Sequence, residues 1–102
     1  MVYYSSNVHN DLEQIRIGLL KWSKITLTEE FVAGYVESIK NVCDSLDAKS
    51  YHANTIYAIH KQYGTKVHTY KRNQRTVWYI IYDVDMYKNI YVHKIISNYQ
   101  TH

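Results

Sequence analysis

The side chains best suited to binding and cleaving a phosphodiester lie close together in this sequence. They occupy residues 66–75 and are Lys66, His68, Tyr70, Lys71, Arg72 and Arg75. Arginine offers a planar fork for phosphate, and lysine offers a compact charge that could stabilise a phosphorane. Because alternate residues of a strand share a face, Lys71 is predicted to point away from Lys66, His68, Tyr70 and Arg72. The competing interpretation is a solvated hairpin whose charges only prevent sheet-edge aggregation.

A second group of candidate residues lies in the C-terminal stretch, residues 97–102. Tyr99 and His102 would come near the basic residues if the last strand ends beside them. Imidazole is the natural general acid or base near neutral pH, so His102 is predicted to transfer a proton, with Tyr99 as the alternative. His68 and His93 are further candidates, although each could instead be a partly buried histidine of the sheet. A plain surface role competes with all of these interpretations.

Other kinds of site find no support in the sequence. The six histidines and the single cysteine show no metal-ligand spacing, and no glycine-rich phosphate loop or nucleophile elbow is present. We therefore expect no metal and no cofactor. Cys43 has no partner for an internal disulfide, and its apolar helical surroundings predict a buried, unreactive thiol.

The 102 residues are expected to form one domain, residues 1–102. Charged and aromatic residues are distributed unevenly along it. Residues 1–50 hold seven carboxylates and five Lys or Arg. Residues 51–102 hold only two carboxylates but seven Lys or Arg. The basic half also contains nine of the twelve tyrosines and five of the six histidines. This mixture of basic and aromatic side chains suits a sheet surface that binds RNA phosphates and stacks on RNA bases.

The N-terminal region has no uncharged apolar run of the length found in signal peptides or membrane spans. Asp11, Glu13 and Arg16 interrupt the first apolar segment. The sequence therefore predicts a cytoplasmic protein without a membrane partner.

Two amphipathic helices are predicted in the acidic half. Val8, Leu12, Ile15 and Leu19 recur at helical spacing, which predicts a first helix over residues 8–23. Thr26 and Glu29 have the spacing of a capping box and predict the start of a second helix. The short link between the helices favours an antiparallel pair.

Three strands are predicted in the basic half, over residues 67–72, 76–84 and 90–96. The nine-residue middle run is continuously β-branched and aromatic, as expected of a central strand covered on both faces. Residues 48–64 fit either a helix or an extended segment. The sequence thus predicts an α+β fold in which two antiparallel helices pack on an antiparallel β-sheet, in the order β-α-α-β-β-β.

These motifs, in this order, resemble the RelE/ParE superfamily of toxins from type II toxin–antitoxin systems. Residues 2–5 and 11–13 resemble that family's opening strand and first helix. Residues 71–82, KRNQRTVWYIIY, resemble its basic hairpin and tyrosine-rich central strand, and residues 90–96, IYVHKII, resemble its last long strand. The resemblance covers nearly the whole chain.

The resemblance implies a small cytoplasmic toxin that a cognate antitoxin neutralises by wrapping its sheet and helices. The RelE-like branch cleaves mRNA in the ribosomal A site, where basic residues activate the 2′-hydroxyl and stabilise the transition state without a metal. By position, Arg72 and Arg75 correspond to the family's basic hairpin, and Tyr99 or His102 corresponds to its C-terminal aromatic or histidine. Arg72, Arg75, Tyr99 and His102 are therefore the predicted catalytic residues, and Lys66, His68, Tyr70 and Lys71 the predicted RNA-binding residues.

Two alternatives follow from one departure from the family pattern. Many active relatives carry arginine or histidine just after the last strand, where this chain has Ser97-Asn98-Tyr99-Gln100. One alternative is a ParE-like poison of DNA gyrase, which needs surface complementarity and no catalytic residues. The other is a non-catalytic member that only binds an antitoxin.

Overall fold

The computed structural model describes residues 1–22 and 27–99 and has an α+β architecture. In chain order the elements are β1 (Val2–Tyr4), α1 (Ser6–Trp22), α2 (Glu29–Asp44), a 3-10 turn (Leu46–Ala48), α3 (Ala58–Lys61), β2 (Lys66–Lys71), β3 (Val77–Val84) and β4 (Ile90–Ser97). The two predicted helices and the predicted order of the long helices and strands along the chain are confirmed. The segment that the sequence left open, residues 48–64, begins at the last residue of the 3-10 turn and contains the single-turn helix α3.

The apolar stripes of the two long helices face a shared core. Val8 of α1 is fully buried, and the positions at helical spacing after it pack against the same cluster: Leu12, Ile15 and Leu19. On α2 the buried residues are Val32, Tyr35, Ile39 and Cys43. The N-cap of α2 is Thr28, whose Oγ1 accepts a 3.1 Å hydrogen bond from the backbone N–H of Phe31. The predicted cap, Thr26, lies outside the described residues.

The four strands form one sheet in the order β1-β4-β3-β2. Strands β2, β3 and β4 make the predicted antiparallel meander, and β3 lies inside the sheet. The prediction of a wholly antiparallel sheet is wrong, because β1 runs parallel to β4, with Tyr3 opposite Tyr91. A long helical connection separates β1 from the other strands, and such a connection lets strands run parallel. The three residues of β1 carry no sequence signal of that direction.

Strand β3 is covered on both faces, as its continuous apolar run predicts. Trp78, Ile80 and Tyr82 belong to the core under the long helices. The alternate residues Tyr79 and Ile81 face the segment around α3. Full burial of such side chains stabilises the fold by about 1.5–3 kcal/mol each, so this strand anchors both layers.

The part of β4 beyond the reach of β1 is covered by side chains near the start of α1. The Ser5 hydroxyl donates to the carbonyl of His93 at 3.2 Å. The Asp11 carboxylate accepts hydrogen bonds from the Ile95 N–H at 3.1 Å and from the Lys94 ammonium at 2.7 Å. These bonds satisfy backbone groups of β4 that β1 does not reach and shield that edge of the sheet from further pairing.

Two further properties of the helices bear on the sequence predictions. Within the described parts of the chain, no helix is long and apolar enough to cross a bilayer. Cys43 is fully buried on α2, and burial raises the pKa of its thiol to about 12. The predicted buried thiol is therefore confirmed.

Candidate nucleic-acid interface

The turn between β2 and β3 is organised by one asparagine side chain. Asn73 Oδ1 accepts hydrogen bonds from the backbone N–H of Arg75 at 3.0 Å and of Thr76 at 2.8 Å. This local bonding is typical of an Asx turn and explains why the chain reverses at the predicted position. The turn leaves Lys71 and Arg75 exposed to solvent.

The residues after β4 join this turn. Asn98 continues the pairing, because its backbone N–H donates to the Val77 carbonyl at 2.9 Å and its Oδ1 accepts from the Val77 N–H at 3.1 Å. The Tyr99 hydroxyl then donates to the Arg75 carbonyl at 3.1 Å. The structure thus brings Tyr99 and Arg75 together at one exposed corner of the sheet. His102, the other predicted proton-transfer residue, lies outside the described residues.

Arg72 turns away from this corner and lies on α2. Its guanidinium donates to the Ser38 hydroxyl at 3.0 Å. It also sits 4.7 Å from the ring centroid of Tyr35 and 5.9 Å from that of Phe31. Cation–π contacts of this kind stabilise by about 0.5–1 kcal/mol at exposed sites, so Arg72 is held against the helix.

The remaining residues of β2 divide between the two faces as predicted. In the pairing with β3, Lys66 lies opposite Tyr82, His68 opposite Ile80 and Tyr70 opposite Trp78, on the helix-covered face. Lys71 lies opposite Val77, on the other face. Tyr70 packs against the core and is only partly exposed, so its ring is not an open stacking platform.

Two residues that the sequence analysis did not single out, Lys49 and His52, join Lys66 and His68. The Lys49 ammonium lies 3.1 Å from His68 Nδ1, and His52 Nδ1 lies 2.7 Å from the Tyr82 hydroxyl. We call Lys49, His52, Lys66 and His68 the edge cluster. Local spacing could not reveal it, because long-range pairing of the segment before α3 with β2 brings these residues together.

Electrostatics and burial set the protonation states in the edge cluster. Burial, with Lys49 and Lys66 nearby, lowers the pKa of His52 below its ordinary value. Burial and Lys49 lower the pKa of His68 in the same way. Burial raises the pKa of Tyr82 to about 12, so its hydroxyl stays protonated in the hydrogen bond with His52 Nδ1. The Lys49 ammonium has no acceptor lone pair and donates to His68 Nδ1, so the proton of the His68 imidazole resides on Nε2.

His93, a weaker candidate from the sequence, lies on the opposite face of the sheet. Its Nε2 is 2.9 Å from Asp83 Oδ2. Burial opposes ionisation of Asp83, but hydrogen bonds from Thr65 and His93 outweigh it and lower the pKa of the carboxyl group. The arrangement ties β4 to β3 and to the start of β2, and it does not bring His93 to the basic turn.

Within the part of the chain that the structure describes, no group of three or more His, Cys, Asp or Glu side chains is arranged to hold a metal ion. Comparisons of the chain with known family models, curated proteins and solved structures find no match. The resemblance to RelE/ParE toxins therefore stays a prediction from sequence motifs.

Proposed function

We propose that this chain is the toxin of a type II toxin–antitoxin system of the RelE/ParE kind, and that it cleaves mRNA on the ribosome without a metal. The observation that supports the proposal most directly is the hydrogen bond from the Tyr99 hydroxyl to the backbone carbonyl of Arg75. It brings a phenol to the turn that carries the exposed Arg75 side chain, and a phenol and a guanidinium suit a phosphodiester substrate.

The proposed chemistry is an attack of the ribose 2′-oxygen on the adjacent phosphorus. A base removes the 2′-hydroxyl proton, the bond to the 5′-oxygen breaks, and an acid protonates that leaving oxygen. Arg75 would hold the non-bridging oxygens, where negative charge builds up in the transition state. Tyr99 or His102 would transfer one of the protons.

One observation favours the non-catalytic alternatives. Arg72 contacts Ser38 and Tyr35 of α2 and is therefore less available to a reacting phosphate than a free guanidinium. A gyrase poison or an antitoxin-binding member requires only a stable surface, and an arginine held on a helix suits that requirement. The experiment below separates these functions.

A cognate antitoxin is the proposed protein partner. Between α1 and α2 lies an open cavity of about 370 Å³. Its apolar side chains are Leu12, Ala33 and Val36, and its charged ones are Arg16, Glu37, Lys40 and Asp44. An apolar groove with charged sides suits an amphipathic helix of a partner. Co-expression of the neighbouring small reading frame should relieve growth inhibition.

The test of the proposed function is induced expression with separate measurements of translation, mRNA cleavage sites and plasmid supercoiling. Wild-type protein should stop translation and produce mapped mRNA cuts. Arg75→Ala should slow cleavage by about 100-fold if the residue stabilises transition-state charge. Tyr99→Phe keeps the ring but removes both the hydroxyl proton and its hydrogen bond to the Arg75 carbonyl, so it tests the proton-transfer and positioning roles of Tyr99 together.

Arg16→Ala is the matched control for the loss of an arginine. Arg16 lies on α1 and pairs with Glu13 at 2.5 Å. Expressed without an antitoxin, the Arg16→Ala protein should therefore retain toxicity and the same cleavage pattern. DNA damage with intact mRNA would select the gyrase poison, and full mRNA cleavage by folded Arg75→Ala protein would contradict the catalytic role.

A further inference from the structure

The edge cluster concentrates positive charge without a neutralising carboxylate. Among the described residues, none of its four members forms an ion pair with Asp or Glu. Lys66 instead donates to the Asn54 amide oxygen at 2.5 Å, and Lys49 donates to the His68 imidazole. These neutral acceptors form hydrogen bonds with the ammonium groups but carry no negative charge to balance the positive charge of the lysines.

The cluster also presents unused hydrogen-bond donors. His68 accepts from Lys49 at Nδ1, which places its proton on Nε2, and His52 bonds to the Tyr82 hydroxyl through Nδ1. No hydrogen bond to the Nε2 of either histidine is found in the described ranges, and both side chains remain partly exposed. Two ammonium groups and two imidazole rings thus lie around one edge of the sheet.

We propose that Lys49, His52, Lys66 and His68 form an oxyanion site that holds one backbone phosphate of a bound RNA. This inference rests on the proposed function for the identity of the polyanion. His68 lies near the middle of β2, and Arg75 lies beyond the turn that follows the end of this strand. The site would therefore anchor a different phosphate from the one at Arg75 and fix the register of the RNA strand on the protein.

Phosphate fits this site better than a carboxylate from an acidic peptide. Four side chains come from two segments, the loop at Lys49 and His52 and strand β2 at Lys66 and His68. A phosphodiester and a carboxylate each carry one negative charge, but the phosphodiester arranges its oxygens tetrahedrally, whereas the two carboxylate oxygens are coplanar. An acidic peptide is the competing occupant that the test includes.

The test uses the full chain labelled with ¹⁵N at histidine and follows the imidazole signals by NMR. Three probes are added separately: inorganic phosphate, a ten-nucleotide 2′-O-methyl RNA that resists cleavage, and a glutamate-rich peptide. RNA should shift the Nε2 signals of His52 and His68 and leave those of His93 unchanged. Phosphate should produce the same shifts at higher concentration.

Charge variants measure the contribution of the cluster to RNA binding. Lys49→Gln should weaken RNA binding by about 10-fold, the scale of one lost charge-assisted hydrogen bond. It should also reduce the slope of log K against log salt by about 0.7, as expected for one lost contact to a single strand. Lys61→Gln is the matched control, since Lys61 is exposed on α3, which packs near the opposite face.

The outcomes separate this inference from the proposed function. Shifts of His52 and His68 with RNA, together with the Lys49 effect, support the oxyanion site even if cells show no mRNA cleavage. Mapped mRNA cleavage without these shifts, or equal effects of Lys49→Gln and Lys61→Gln, overturns the site and leaves the ribonuclease proposal intact. Shifts with the peptide but not with RNA overturn the assignment to RNA.

Discussion

The carboxylate of Asp11 accepts a hydrogen bond from the backbone N–H of Ile95, 84 positions later in the chain. The same carboxylate binds the ammonium of Lys94 at 2.7 Å, with side-chain exposures of 9% for Asp11 and 23% for Lys94. One side chain of α1 therefore takes the place of a strand along part of β4. Helix and sheet are joined by a polar contact within a largely apolar interface.

Removal of this carboxylate should destabilise the fold. Asp11→Ala leaves the Ile95 N–H without its acceptor and Lys94 without its ion partner, so we expect a loss of about 2–4 kcal/mol in the free energy of unfolding. Asp11→Asn keeps an acceptor oxygen and should cost less. Urea denaturation followed by circular dichroism measures both, and equal losses for the two variants would contradict the role of the backbone acceptor.

Gly64 is expected to tolerate no larger residue. A Cβ added there would lie 3.0 Å from the Tyr82 carbonyl oxygen and 3.1 Å from Ile81 Cγ2, both parts of the central strand. Gly64→Ala should therefore destabilise by about 1–3 kcal/mol through overpacking. Gly34→Ala is the control, because a Cβ there meets nothing within 4 Å and the site lies in α2. It should stabilise by about 0.5–1 kcal/mol.

His60 should make the fold sensitive to acid. The side chain is 1% exposed, its Nε2 has no partner in the described residues, and burial lowers its pKa. In the pH range between this lowered pKa and the pKa of about 6.5 that His60 has in the unfolded chain, the unfolded chain binds more protons than the folded chain. Stability should therefore fall as pH falls through this window, with a slope of up to about 1.4 kcal/mol per pH unit from this group.

His60→Phe keeps an aromatic ring against Tyr79 and removes the titration. The difference in unfolding free energy between pH 7.5 and pH 5.5 should become smaller. His9→Gln, an exposed change on α1, is the matched control and should leave the difference unchanged. An unaltered pH dependence in the His60 variant would show that another group causes the acid sensitivity.

The hydrogen bond from Trp78 Nε1 to the Tyr35 hydroxyl, at 2.9 Å, joins β3 to α2 inside the core. Tyr35→Phe leaves a buried indole N–H without an acceptor and should cost about 1–3 kcal/mol. Tyr70→Phe is the comparison, since no hydrogen bond to the Tyr70 hydroxyl is found in the described residues. Its cost should stay below ~0.5 kcal/mol. Similar losses for both variants would contradict the contribution of this bond.

Local patterns were sufficient to predict the helices and β3. The spacing of Val8, Leu12 and Ile15 predicted a buried helical face, and the run over residues 76–84 predicted a strand covered on both sides, which the structure places at Val77–Val84. Both signals lie within one element, so they require no knowledge of its neighbours.

The features that the sequence did not predict depend on long-range pairing. The parallel pairing of Tyr3 with Tyr91 depends on where two helices carry the chain. The approach of Lys49 to His68 depends on a loop that follows the edge of β2. The contact of Arg72 with Tyr35 depends on how α2 lies across the sheet. Spacing alone carries no information about these distances.

The single cysteine gives this protein a natural reporter of core opening. An alkylating reagent reacts with the thiolate, and Cys43 is fully buried with a pKa of about 12. Modification of the folded chain therefore requires α2 to separate from the sheet. The rate of alkylation under native conditions measures how often that separation occurs, and the proposed antitoxin, if bound across the helices, should slow it without touching the sulfur.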